Sequence, residues 1–369
     1  MELTLEISEN VSKLDAVLSS DKIFYGDFNK SREQLNKFMY DAVSWHMQNN
    51  KYYKEYCEKN SFRIENIHED LWKIPAMPSA IFKRHKKFTV TRDDGSILPT
   101  TSSGTQGTIS QVPRDNETLM RFFASVTAGV QDVLNIEQQD LNVFCLSPAN
   151  DEVEHLWISY VLAGILVYYP TKYYVSNGVF HMDKLIEDLR NLDSVDENNQ
   201  VLIVGPPALI LDVTKKLEET ESLNLGEHCK ILTIGGWKSR QGESVKRELF
   251  DQRVAAAFGL LNTEYVRDVY NMVELNTVIF ECKNHHKHCP PWLYARAFDP
   301  KTLEVLPSGE LGILGYFDPT PLSYPGFILS DDFGRVYEKV NCPCGICSDV
   351  IQIERRINKL ESRGCALKI

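Results

Sequence analysis

The 369-residue sequence predicts an α/β protein with a helical N-terminal segment, a largely parallel α/β core and a β-rich C-terminal subdomain. Three observations lead there. Residues 28–50 place apolar side chains at helical spacing. From Phe88 onward, short apolar runs alternate with helical stretches and end beside Gly or Pro, the signature of a mostly parallel sheet. Beyond residue 278 the helical periodicity fades, and Asp299-Pro300, Pro307-Ser308-Gly309 and Pro325-Gly326 punctuate short strands.

Taken in order, residues 1–87 form the helical segment. Ser31 and Gln34 have capping-box spacing, and Leu35, Phe38, Met39, Ala42 and Val43 supply the apolar stripe. Ile74-Pro75-Ala76-Met77-Pro78 breaks the helical pattern twice, and Ser79–Lys83 is expected to pack on the main body. Residues 88–277 make the α/β core. Its strands are expected at Val143–Leu146, Val201–Val204 and Ile231–Ile234, with Gly205-Pro206-Pro207 and Gly235-Gly236 as loops at their carboxyl ends. Residues 278–350 are the β-rich subdomain, and 351–369 a tail.

Composition narrows the function. With 43% hydrophobic and 25% charged residues the chain is an ordinary globular protein, and a net charge of −11 argues against nucleic-acid binding. Met1-Glu2-Leu3-Thr4-Leu5-Glu6 lacks the basic start of a secretory signal, and no stretch reaches the roughly 18 apolar residues of a membrane span. A cytoplasmic protein with reduced thiols is the expectation. Cys57, Cys145 and Cys229 are scattered and read as structural.

Residues 100–110 carry seven Ser or Thr hydroxyls and two glycines in eleven positions. Hydroxyls and successive backbone N–H groups can wrap an anion, while Gly104 and Gly107 permit close approach. No Gly-Lys-Ser/Thr ends the loop, so it is not a Walker A sequence.

Cys282-Lys283-Asn284-His285-His286-Lys287-His288-Cys289 is followed, about fifty residues on, by Cys342-Pro343-Cys344-Gly345-Ile346-Cys347. Zinc takes four N or S donors tetrahedrally, and two such groups brought together would supply them. The expected set is Cys282, His288, Cys342 and Cys344, with Cys289 as the substitute for His288. Four protein ligands leave no open position, so the site would be structural. His155 reads as a helix-start histidine. Tyr160, Tyr168, Tyr169, Tyr173 and Tyr174 are expected in the core or a pocket wall.

Ser102-Ser103-Gly104-Thr105-Gln106-Gly107 resembles the phosphate-binding motif of the adenylate-forming superfamily of acyl-CoA synthetases and luciferases. Tyr270-Asn271-Met272-Val273-Glu274 is similar to its Tyr-Gly-x-Thr-Glu motif, whose glutamate binds magnesium. Ser330-Asp331-Asp332-Phe333-Gly334 is similar to Thr-Gly-Asp-Leu-Gly, whose aspartate holds the ribose hydroxyls. Gly235-Gly236-Trp237 falls where that superfamily places its adenine-contacting loop.

Within the superfamily the chain resembles the acyl-protein synthetases of bacterial bioluminescence over nearly its whole length, including Ile74–Lys83, Pro290-Pro291-Trp292 and Glu361-Ser362-Arg363-Gly364-Cys365. The resemblance implies an adenylate-forming-enzyme-like large domain. It implies that a long-chain fatty acid reacts with MgATP to give acyl-AMP, and that the acyl group passes to Cys365. Acyl-protein reductase and acyl-transferase subunits of the fatty acid reductase complex would be the partners, and luciferase aldehyde the destination. A CoA ligase or a silent scaffold subunit are the alternatives. A full mobile C-terminal domain with its catalytic lysine is expected to be lacking, with Lys368 or Lys238 as substitutes.

Overall fold

The computed structural model describes residues 13–68, 70–84, 97–103, 109–136, 141–153, 155–192 and 200–356. Packing divides the chain into two compact units, one of Met1–Val133, Met272–Ile279 and His286–Ile369, the other of Leu134–Asn271 and Phe280–His285.

The second unit is the α/β one. Its sheet has the order Ile279–Phe280, Val266–Tyr270, Cys229–Ile234, Gln200–Gly205, Leu141–Cys145, Thr171–Tyr173. The last five of these strands pair in parallel. Parallel neighbours need crossovers, and the helices Trp157–Leu166, Met182–Arg190, Pro207–Glu219 and Arg247–Phe258 are available between successive strands. Ile203, Ile231, Ile210, Leu217, Val254 and Phe258 belong to one buried apolar cluster joining strands to helices. Cys145 and Cys229 lie in these strands, and burial pushes both thiols up, Cys145 to about 12, as expected of structural cysteines. Tyr174 is buried, but Tyr168 and Tyr173 are 63% and 41% exposed. Those two rings are therefore not core.

The first unit is built on an antiparallel sheet with the order Lys287–His288, Cys347–Arg356, Phe327–Asn341, Gly312–Phe317, Tyr294–Phe298. Met77–Pro78 adds a parallel edge against Ile328–Leu329. The helix Phe28–Asn49 buries Leu35, Phe38, Met39, Ala42 and Val43, the stripe read from the sequence, and also His46. Its cap differs. Asp27, one turn before Ser31, accepts from the Lys30 N–H at 2.9 Å, so Ser31 lies inside the helix.

Packing also departs from chain order, because residues up to Val133 group with the C-terminal strands. Polar contacts account for this. Thr118 Oγ1 accepts from the N–H groups of Leu322 and Ser323, and Arg121 Nη1 donates to the Thr320 carbonyl. The helix Asn116–Asp132 is thereby fixed to the chain just before Phe327.

Candidate active site

The Ser/Thr-rich loop springs from a two-stranded hairpin, Leu98–Thr101 against Gln111–Arg114. Its two ends are tied together. The Ser102 N–H donates to the Ser110 carbonyl at 3.1 Å, and the Ser110 N–H returns to Ser102 Oγ at 3.0 Å. Ser102 is half-buried and Ser103 exposed, while Gly104, Thr105, Gln106 and Gly107 lie outside the described residues.

Glu274 is buried, and its carboxylate takes a hydrogen bond from the Ser110 side chain at the base of that loop. Burial raises its pKa; the Ser110 bond and the positive charge of Lys83 oppose the rise, and Asp331 adds to it. A desolvated carboxyl of this kind ionises readily once a divalent cation adjoins it, so Glu274 suits a magnesium ligand. Beneath it, the fully buried Arg114 donates from Nη2 to the Val273 carbonyl at 2.6 Å and from Nε to Asn276 Oδ1 at 3.1 Å. It also bonds Thr100 Oγ1 on the opposite hairpin strand and the Tyr324 hydroxyl.

Asp332 is half-buried, and its N–H donates to Ser330 Oγ at 3.1 Å. Beside it, Asp331 Oδ2 lies 3.0 Å from Lys83 Nζ. The edge strand Met77–Pro78 delivers that lysine: the Ser79 N–H donates to the Leu329 carbonyl at 2.9 Å, and the short helix Ile81–Arg84 follows.

In the other unit, Gly235-Gly236 leaves the carboxyl end of Cys229–Ile234, and Tyr270 ends the neighbouring parallel strand, where Val269 pairs with Ile234. Gly235 has φ +78°, and a Cβ there or at Gly236 would meet open space. Such a carboxyl-end shelf is where open α/β sheets take ligands. Asn271, next to Tyr270, accepts from the Trp157 indole N–H, and His155 stands two residues ahead of the helix Trp157–Leu166 with φ +62°.

Of the expected zinc set, His288, Cys342 and Cys344 belong to the first unit and bring their ligand atoms within 4.8 Å of one another, while Cys282 belongs to the other unit. His288 Nδ1 is 2.7 Å from Ser348 Oγ, leaving Nε2 to face Cys344 Sγ at 3.4 Å, so the serine hydroxyl orients the ring as a metal-binding histidine requires. Arg267 is buried near Cys282, and its Nε and Nη1 find no hydrogen-bond partner among the described residues. In the first unit, two thiols and an imidazole this close together are donors that zinc favours. Cys289 is not in the group; its N–H donates to the Asp349 carbonyl at 2.8 Å, and its thiol faces Arg32, Arg296 and Asp349. Cys365 and Lys368 lie outside the described residues, as does the side chain of Lys238.

Sequence reading passed over Arg114 and Lys83. Arg114, in Pro113-Arg114-Asp115, reads as an ordinary charge before a helix, and Lys83 closes a segment that carried resemblance but no chemistry.

The fold is that of the adenylate-forming ligases. An open conformation of 2-hydroxyisobutyryl-CoA ligase, solved in complex with 2-HIB-AMP and CoA, is similar with a TM-score of 0.67 and 16% identity, over 89% of this chain and 75% of that one. The chain belongs to the acyl-protein synthetase family LuxE, whose sequence profile matches residues 4–369, and it is accordingly an acid–thiol ligase. The long-chain-fatty-acid–luciferin-component ligase of Aliivibrio fischeri is 33% identical over 359 residues, covering 97% of this chain and 93% of that protein. Its namesake from Vibrio harveyi is 32% identical over 357 residues, covering 95% and 92%.

Proposed function

We propose that the chain activates a long-chain fatty acid with ATP to acyl-AMP and transfers the acyl group to its own Cys365. The observation that carries this reading is the buried Glu274, hydrogen-bonded to Ser110 where the Ser/Thr-rich loop closes. A carboxylate oxygen of the fatty acid attacks the α-phosphorus of ATP, and pyrophosphate leaves with the bonding electron pair. The loop from Ser102 to Gly107 holds the phosphates through hydroxyls and N–H groups. Gly235, Gly236 and Tyr270 meet the base, and Asp332 the ribose hydroxyls. Magnesium, held by Glu274, would supply charge against the phosphates. The Cys365 thiolate then attacks the acyl carbon, and AMP departs.

Acyl-protein reductase and acyl-transferase subunits are the proposed partners, with the reductase taking the acyl group toward luciferase aldehyde. Cys282, His288, Cys342 and Cys344 would hold a structural zinc. Among the described residues no helix is long and apolar enough to cross a membrane.

Fatty-acid-dependent exchange of labelled pyrophosphate into ATP tests the first step. Exchange that requires tetradecanoate supports the reading. No exchange, even with the partner subunits present, would favour a silent scaffold.

A further inference from the structure

Adenylation brings a carboxylate against a polyanionic triphosphate, so a cation at the reacting phosphorus is a chemical requirement. Among the described residues, the basic side chains acting on Glu274 are Lys83 and Arg114. They differ in availability. Arg114 is fully buried, and its fork is directed at Thr100, Val273, Asn276 and Tyr324. Lys83 keeps 25% of its side chain exposed, and its ammonium rests on Asp331, itself 30% exposed. An ion pair that solvent still reaches, as it reaches this one, contributes little stability and opens easily.

We propose that Lys83 is a catalytic residue of the adenylation step, its ammonium meeting the α-phosphate and the incoming carboxylate while Asp331 holds it when no substrate is bound. The pairing of Met77–Pro78 with Ile328–Leu329 is what makes this placement reproducible, since it sets Lys83 beside Asp331 and next to Asp332. The O–P bond to the carboxylate forms, the bond to the β-phosphate oxygen breaks with its electron pair leaving on pyrophosphate, and the Lys83 side chain stabilises charge without exchanging a proton. This also gives a purpose to Ile74–Lys83, a segment otherwise without chemistry. The inference rests on reading Glu274 and Asp332 as nucleotide-binding carboxylates.

The test uses the full-length protein with MgATP and tetradecanoate. Lys83→Gln should lower the kcat of pyrophosphate exchange at least about 100-fold, the scale of losing one charged transition-state donor. Lys83→Arg should recover part of that loss. Transfer of label from preformed tetradecanoyl-AMP to the protein should stay within about threefold of wild type, since that step no longer involves the triphosphate. Exchange by Lys83→Gln within threefold of wild type, or a parallel fall in transfer from the preformed adenylate, would overturn the assignment. Absence of exchange in the wild-type protein would instead overturn the adenylation reading beneath it.

Discussion

Arg114 Nη2 donates to the carbonyl of Val273 at 2.6 Å, so a fully buried guanidinium on the hairpin below the Ser/Thr-rich loop fixes the backbone just before Glu274. Its other bonds, to Thr100 and Asn276, tie the hairpin and the Glu274 segment into one polar knot.

Replacing that fork should be costly. Arg114→Met leaves the Val273 carbonyl, Asn276 and the Tyr324 hydroxyl without their donor, and breaking a buried charged network of this sort costs about 3–5 kcal/mol. Urea denaturation measures the loss. Arg114→Lys keeps the charge without the planar fork and should be milder in stability while raising the KM for MgATP about tenfold through a displaced Glu274. A Met variant within about 1 kcal/mol of wild type would show that the knot does not support the fold.

Glu274 should trade stability for activity. Burial raises its folded-state pKa above the ordinary 4.5, so between 4.5 and the raised value the folded chain holds the proton that the unfolded chain has released. The unfolded state binds fewer protons there, and this group's contribution to stability falls as pH rises through that window. Glu274→Gln removes the penalty. Its melting temperature at pH 7.5 should therefore be at least that of wild type, while pyrophosphate exchange falls at least about 100-fold. A variant that melts lower yet exchanges normally would contradict both parts.

Much of the parallel sheet was legible, because Val143–Leu146, Val201–Val204 and Ile231–Ile234 are apolar runs flanked by Pro and Gly, as doubly buried strands require. The helix Phe28–Asn49 was equally plain from its stripe, although its cap lay one turn earlier, since both Asp27 and Ser31 carry side chains able to cap. What stayed hidden is long-range. Nothing local to Met77-Pro78 announces a partner some 250 residues away at Ile328, and Arg114 acquires meaning only when Thr100, Val273 and Tyr324 surround it. The grouping of His288, Cys342 and Cys344 was anticipated because the ligand types come in two tight clusters, whereas Cys289 could be set apart only once its thiol was seen beside Asp349, Arg32 and Arg296.

Metal analysis of protein purified without a histidine tag should give close to one zinc per chain, because a four-ligand structural site fills nearly completely. Cys342→Ser should lose the metal and lower the melting temperature. Less than about 0.2 zinc per chain would contradict the assignment.

The most direct measurement is incubation of the protein with ATP and radiolabelled tetradecanoate, with and without CoA, followed by denaturing electrophoresis. Wild type should acquire a hydroxylamine-labile acyl label on the protein itself, and Cys365→Ser should lose that label while still exchanging pyrophosphate. Label appearing on CoA rather than on protein, or persisting on the Cys365→Ser chain, would contradict transfer to Cys365.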